Sequence, residues 1–217
     1  MKKKLCAAVL ALSLACPSFH AQNLVNETPE QKDKRMEWFH KAKLGIFIHW
    51  GIYAVKGVSE SWSFYNKYLP HDEYLKQCEG FTASKYDPKA WVELIKESGA
   101  QYTVLTTKHH DGVALWDTKQ NGISVVKNTP AKRDLVTPFV NEVRKAGLRL
   151  GLYYSLPDWS HPDYPNMTRT DVRYKDDPKR WDNFCKFNFG QLAELNNTYK
   201  PDLYWFDGDW EMSAETW

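Results

Sequence analysis

Four apolar runs decide what this chain can fold into: Leu44-Gly45-Ile46-Phe47-Ile48-His49-Trp50-Gly51, Tyr102-Thr103-Val104-Leu105-Thr106-Thr107-Lys108, residues 148–155, and Leu203-Tyr204-Trp205-Phe206-Asp207-Gly208-Asp209-Trp210. Each reads as a buried strand, and each follows a helical stretch. Residues 29–43 carry Met36, Trp38 and Phe39 as an inward face. Asp87-Pro88 is an N-cap and first-turn pair opening a helix through Trp91, Leu94 and Ile95 that stops at Gly99. Asp134 caps a helix with Val136, Phe139, Val140 and Val143 inward, ended by Gly147. Asp177-Pro178 starts a longer helix with Trp181, Phe184, Cys185, Leu192 and Leu195 at helical spacing. Asn188 interrupts that stripe, and Phe187 and Phe189 flank it. Helix alternating with strand at this spacing means parallel βα units.

Two architectures use such units. An open doubly wound sheet would carry a glycine-rich first turn for phosphates, which is absent here. In a (β/α)8 barrel the active site sits at the C-terminal ends of the strands. Those ends carry His49, His109 and His110, Tyr154, and Asp207. Singly, each histidine is more often a satisfied core residue than a catalytic one, and Asp207 is as readily a capping aspartate. Four consecutive strands delivering polar groups to one rim is the stronger argument, and it predicts a pocket there.

Composition narrows the ligand. The chain has 29 Lys+Arg against 27 Asp+Glu, a net +2, with the basic residues scattered, so nothing points to nucleic acid. Ten Trp, twelve Tyr and ten Phe supply a large core and also suit stacking on the apolar faces of sugars. A carboxylate at the mouth of an apolar strand, with indoles around it, places a catalytic group beside such a ring. The paired histidines invite a metal reading, but no carboxylate stands at ligand spacing with them along the sequence, so no metal and no cofactor is expected. Most retaining glycosidases need two carboxyl groups about 5–5.5 Å apart. Asp207 suits the nucleophile; Asp209, Glu211 and Glu215 are near, and nothing identifies one as the acid/base.

The N-terminus reads as an export signal of residues 1–21. Lys2-Lys3-Lys4 precede an apolar stretch over 5–16 and then Pro17-Ser18-Phe19-His20-Ala21, with cleavage after Ala21. The stretch is shorter than the ~20 residues of a membrane span. Ser13-Leu14-Ala15-Cys16 only faintly matches a lipoprotein box, because Ser13 stands where an aliphatic residue is usual. A soluble exported protein, periplasmic or extracellular, is the expectation. Three Asn-X-Thr triplets, at Asn26, Asn166 and Asn196, are chance matches in that setting. Beyond the leader only Cys78 and Cys185 remain, open to one disulfide or to two free thiols.

Trp38…Lys43-Leu44-Gly45-Ile46-Phe47-Ile48-His49-Trp50-Gly51, Lys108-His109-His110-Asp111-Gly112…Leu115-Trp116, Arg133-Asp134-Leu135-Val136, Gly151-Leu152-Tyr153-Tyr154-Ser155 and Trp205-Phe206-Asp207-Gly208 together resemble the α-L-fucosidases of glycoside hydrolase family 29. The resemblance runs through nearly all residues after the leader, in order and spacing. It implies a retaining mechanism on a (β/α)8 barrel, with Asp207 as nucleophile and His49, His109, His110, Trp62, Tyr154 and Trp205 holding the fucose ring. Family members often read Glu-Trp where this chain has Ser61-Trp62; Glu60, one residue earlier, is the candidate for that hydroxyl contact.

A full barrel takes about 250 residues, more than follow the leader here. The expectation is therefore an N-terminal portion, about four βα units over 22–217, of a barrel whose acid/base lies further along. The expected partner is a fucosylated oligosaccharide or glycoconjugate, with no nucleic acid and no membrane span. Oligomeric state is not readable. Two rival readings stand: a carbohydrate-binding protein without turnover, and a metal-dependent barrel hydrolase.

Overall fold

The computed structural model describes residues 27–213 and 216–217. The leader expected over 1–21 and Glu215 lie outside the described residues. Two compact units divide the chain, Met1–Lys41 and Ala42–Trp217.

Helix α1, Pro29–Ala42, occupies the described part of the first unit. Its start is fixed reciprocally: the Gln31 amide donates to Thr28 Oγ1 (3.3 Å) and the Thr28 amide to Gln31 Oε1 (2.8 Å), a capping box. Phe39, expected inward, is exposed. Adjacent residues on a helix sit about 100° apart, so Trp38 and Phe39 cannot share one narrow face.

The second unit holds a parallel sheet of β1 (Gly45–Ile48), β2 (Tyr102–Lys108), β3 (Arg149–Ser155) and β4 (Leu203–Asp207), in the order β1-β2-β3-β4. Spatial order equal to chain order is the arrangement of a barrel wall; a doubly wound sheet reverses direction at a switch point. This is a partial α/β barrel. Between the strands run α2 (Pro88–Glu97), α3 (Val136–Lys145) and α4 (Pro178–Tyr199). Each begins on an aspartate: Asp87 accepts from the Ala90 amide, Asp134 from those of Val136 and Thr137, and Asp177 from that of Arg180. No helix among the described residues is long and apolar enough to cross a membrane.

One sheet face packs on the helices. Leu105, Leu150, Leu152 and Tyr154 join Val92, Ile95, Phe139, Val143, Phe184 and Leu195 in the core. On α2 the buried positions are Val92 and Ile95, whereas Leu94 is 66% exposed. The polar interruption of the α4 stripe has a purpose: buried Asn188 accepts the Tyr154 hydroxyl (2.5 Å) and donates to the Leu156 carbonyl (3.2 Å). The other sheet face carries Phe47 and Trp205, 37% and 52% exposed, with Tyr153 between their strands. That open face holds the site. Cys78 and Cys185 are both free thiols, and burial pushes the Cys78 thiol up to about 12.

Candidate active site

β2 ends in a register shift between Thr106 and Lys108. On a continuing strand His109 and His110 would point to opposite faces; past this irregularity their rings lie together, 4.4 Å between centroids. Each is held from behind through Nδ1, His109 by Ser61 Oγ and His110 by Ser155 Oγ, both at 2.5 Å. The Ser155 hydroxyl spends its one proton on the Pro157 carbonyl (2.5 Å), so it accepts from His110 Nδ1–H. His110 Nε2 therefore carries the lone pair. That atom is buried, has no hydrogen-bond partner among the described residues, and lies 3.6 Å from Asp207 Oδ2.

Burial lowers both imidazoles. His109 falls well below the ordinary histidine range, helped by the nearby His110 and His49. His110 falls to about 4, with the Asp207 charge pulling the other way and Lys108 and His49 adding to the fall. The rings are thus neutral at pH 7. A group whose folded pKa is depressed in this way weakens the fold as pH drops from its unfolded value of about 6.5 toward 4, because the unfolded chain takes up the proton first. Each contributes a slope of about 1.4 kcal/mol per pH unit. Asp111 opposes them: burial raises it to about 6 despite the bonds from Tyr74 and Val113, so it takes up a proton in the folded state. Two histidines outweigh one aspartate, and the lowered His49, His71 and His161 act with them. The melting temperature of the full-length protein should be several degrees lower at pH 5 than at pH 7; an unchanged or higher value would mean the imidazoles are not held neutral.

Asp207 closes β4, in register with Ser155. Tyr153 donates its hydroxyl to Asp207 Oδ2 (2.6 Å). The next residue must be glycine: Gly208 sits at φ +91°, and a Cβ there would stand 2.2 Å from Pro157 Cδ. The chain then makes a 3-10 turn, Asp209–Glu211. Asp209 is exposed, and among the described residues it contributes its backbone carbonyl, to Trp217 Nε1. Glu211 is the tethered carboxylate. It accepts from Tyr65 Oη (2.9 Å), Trp159 Nε1 (3.0 Å) and the Tyr164 hydroxyl, so it fastens the segment after β4 to loops after β1 and β3.

An aromatic wall completes the site. Trp62, on the one-turn helix Trp62–Tyr65, meets His110 edge-on (5.7 Å), Trp159 (5.1 Å) and the parallel ring of exposed Trp210 (6.0 Å). His49 packs against His109 (4.9 Å) and Tyr153 (5.6 Å). The half-buried Glu60 carboxylate acts on His49 as a charge, raising its pKa against the larger lowering by burial. Trp205 shares the open face and meets Phe47 edge-on at 5.4 Å. The fold thus gathers His49, Trp62, His109, His110 and Asp207, with Glu60 and Trp205 at the margin.

Tyr154 is a correction. It is fully buried on the helix-facing side, its hydroxyl shared among Asn188, Gln191 (2.9 Å) and Lys108 Nζ (3.0 Å). Strand alternation gives one of two adjacent tyrosines to each face, and Tyr153 faces Asp207. Phe47 was missed for the same reason; its spacing of two from His49 was the available signal. Folding also supplies what the linear spacing lacks: ligand atoms of His109, His110 and Asp207 all lie within 4.8 Å of one another.

Behind the histidines lies a buried polar layer. Lys108, wholly buried, reaches Asp158 Oδ2 at 3.6 Å. Asp158 also accepts from the Ser160 and His161 amides and sits under Gly112, whose Cβ would be 2.3 Å from Asp158 Oδ1. Tyr74 Oη donates to Asp111 Oδ2 at 2.6 Å.

The family model described as Alpha-L-fucosidase matches residues 12–217. Tissue alpha-L-fucosidase of Bos taurus is 34% identical over 196 residues, covering 83% of this chain and 40% of that protein. Its counterpart in Macaca fascicularis is 35% identical over 222 residues, covering 91% and 45%. Among solved structures, alpha-L-fucosidase isoenzyme 1 from Paenibacillus thiaminolyticus aligns with a TM-score of 0.75 at 36% identity, over 85% of this chain and 47% of that one. A GH29 alpha-L-fucosidase from Bacteroides thetaiotaomicron, solved as a covalent intermediate trapped with 2-fluoro-fucosyl fluoride, aligns with a TM-score of 0.71 at 37% identity, over 82% and 42%. The chain spans less than half the length of these relatives.

Proposed function

The chain belongs to the α-L-fucosidase family, and from that premise we propose that the full-length protein is an exported, exo-acting retaining α-L-fucosidase with Asp207 as its nucleophile. One observation carries this reading: Asp207 stands between the Tyr153 hydroxyl and the unpartnered His110 Nε2, on a face that also carries the exposed rings of Phe47 and Trp205. A 6-deoxy sugar has that polarity, hydroxyls on one part of the ring and a methyl group on another. The lone pair of His110 Nε2 accepts one hydroxyl proton, and His109, His49 and Trp62 offer further contacts. The methyl group lies against Phe47, Tyr153 and Trp205. Tyr153 orients the carboxylate for attack on the anomeric carbon and stabilises its charge until the bond forms.

A second carboxyl group must protonate the leaving oxygen. Glu211 does not suit this role, since its oxygens already accept three hydrogen bonds. We assign the acid/base to the part of the enzyme outside this chain. The substrate class is a terminal α-linked fucose on an oligosaccharide or glycoconjugate. The basic n-region and apolar stretch ahead of Ala21 support export to the periplasm or beyond.

Labelling tests the reading. The full-length protein incubated with 2-deoxy-2-fluoro-α-L-fucosyl fluoride should gain one fluorofucosyl group, located by peptide mass spectrometry on Asp207. Label on another carboxylate would remove Asp207 from the role, and binding without label would favour a carbohydrate-binding protein.

A further inference from the structure

We infer that the pocket is also a binding site for a divalent transition-metal ion, Zn²⁺ above all, held by His109, His110 and Asp207, and that this ion competes with the fucoside instead of assisting it. The donor set is two imidazoles and one carboxylate, the ligands Zn²⁺ takes in open three-residue sites. In such a site, ligands about 2.0 Å from the metal stand about 3.3 Å apart. His110 Nε2 and Asp207 Oδ2 are already at 3.6 Å, and the whole set lies within 4.8 Å. Asp207 stands at the open face with its side chain 30% exposed, its Oδ2 held by the Tyr153 hydroxyl on the side of His110 Nε2, so a small shift of the carboxylate closes the remaining gap.

Three further features make the set a ligand cage in waiting. Both histidines are fixed through Nδ1, by Ser61 and Ser155, and Asp207 by Tyr153, which is the outer layer of hydrogen bonds that orients ligands in metal sites. His110 is the tautomer with a lone pair on Nε2, so it binds a cation without losing a proton. That Nε2 is wholly buried and unpartnered beside a carboxylate, and a cation satisfies both groups together.

The antagonism follows from the atoms used. The metal would occupy the Asp207 oxygen that attacks the sugar and the Nε2 that accepts its hydroxyl. This part rests on the fucosidase reading; the binding itself does not.

The test is calorimetric titration of ZnCl₂ into the full-length protein, alone and with saturating L-fucose, on wild type and on His110→Gln and Asp207→Asn. One Zn²⁺ should bind to wild type. Its affinity should fall at least about tenfold in either variant, and by a similar factor with fucose present. In turnover of an aryl fucoside, Zn²⁺ should raise KM with kcat unchanged, and EDTA should reverse the effect. No binding at millimolar Zn²⁺, or equal affinity in wild type and both folded variants, overturns the proposal. Fucose that binds without displacing Zn²⁺ overturns the competition. Should L-fucose itself fail to bind, the fucosidase reading falls, while the variants still decide the metal site.

Discussion

Asp207→Gly in the full-length enzyme should lower kcat on a natural fucoside by about 10⁴-fold or more, because the step that forms the glycosyl–enzyme bond has lost its nucleophile. The pocket should survive the change. The imidazoles are held by Ser61 and Ser155, not by Asp207, and Tyr153 keeps its ring contacts with Phe47 and His109. Removing the carboxylate opens a space on the ring face opposite the leaving group, beside the Tyr153 hydroxyl. Azide can enter there and attack in its place. With an activated fucoside, activity should return with rising azide, and the product should be the β-fucosyl azide, identified by NMR. Asp209→Gly is the control: its side chain is exposed and makes no hydrogen bond among the described residues, so turnover should stay near wild type and azide should add nothing. Rescue of Asp209→Gly, or near-normal turnover by Asp207→Gly, would place the nucleophile elsewhere.

The frame of this site was legible because its cues are local. An Asp-Pro pair starts α2 and α4, Asp134 caps α3, and β2 spans the run read from the sequence, Tyr102 to Lys108. Strand ends carrying histidine and aspartate follow from that frame. What stayed hidden depends on partners far apart in the chain. Tyr153 and Tyr154 differ by one position, and only the pairing of β3 with β4 decides which meets Asp207. Ser61 and Ser155 look unremarkable until the His109 and His110 rings are placed against them. Glu211 resembles a spare catalytic acid, and its three donors come from residues 47 to 146 positions away. Motif resemblance could name the GLYYS run but not the face on which each tyrosine lands.

Lys108→Met should cost the full-length protein about 3–5 kcal/mol, a large share of an ordinary stability of about 5–15 kcal/mol. The Lys108 ammonium is wholly buried, and burial lowers it to about 8 even with Asp158 and Asp111 pulling it up. A pair so enclosed adds little over an apolar pair, but removing only its positive member strips the buried Asp158 carboxylate of its ion-pair partner. Asp158→Asn in the same chain should therefore recover much of the loss, because an amide oxygen can still accept from the Ser160 and His161 amides without a net charge. Denaturant midpoints of the two single variants and the double one measure the coupling. The functional consequence comes from position. Lys108 pins the chain immediately before His109, and Asp158 packs under Gly112, two residues after His110, so the two brace both ends of the segment that aims the imidazoles. Where Lys108→Met remains folded, fucose affinity should drop with its stability, and the double variant should regain both. If stability returns but fucose affinity does not, Lys108 itself, and not the buried charge balance, sets the histidines. Additive single effects would mean that the ion pair does not act as a unit.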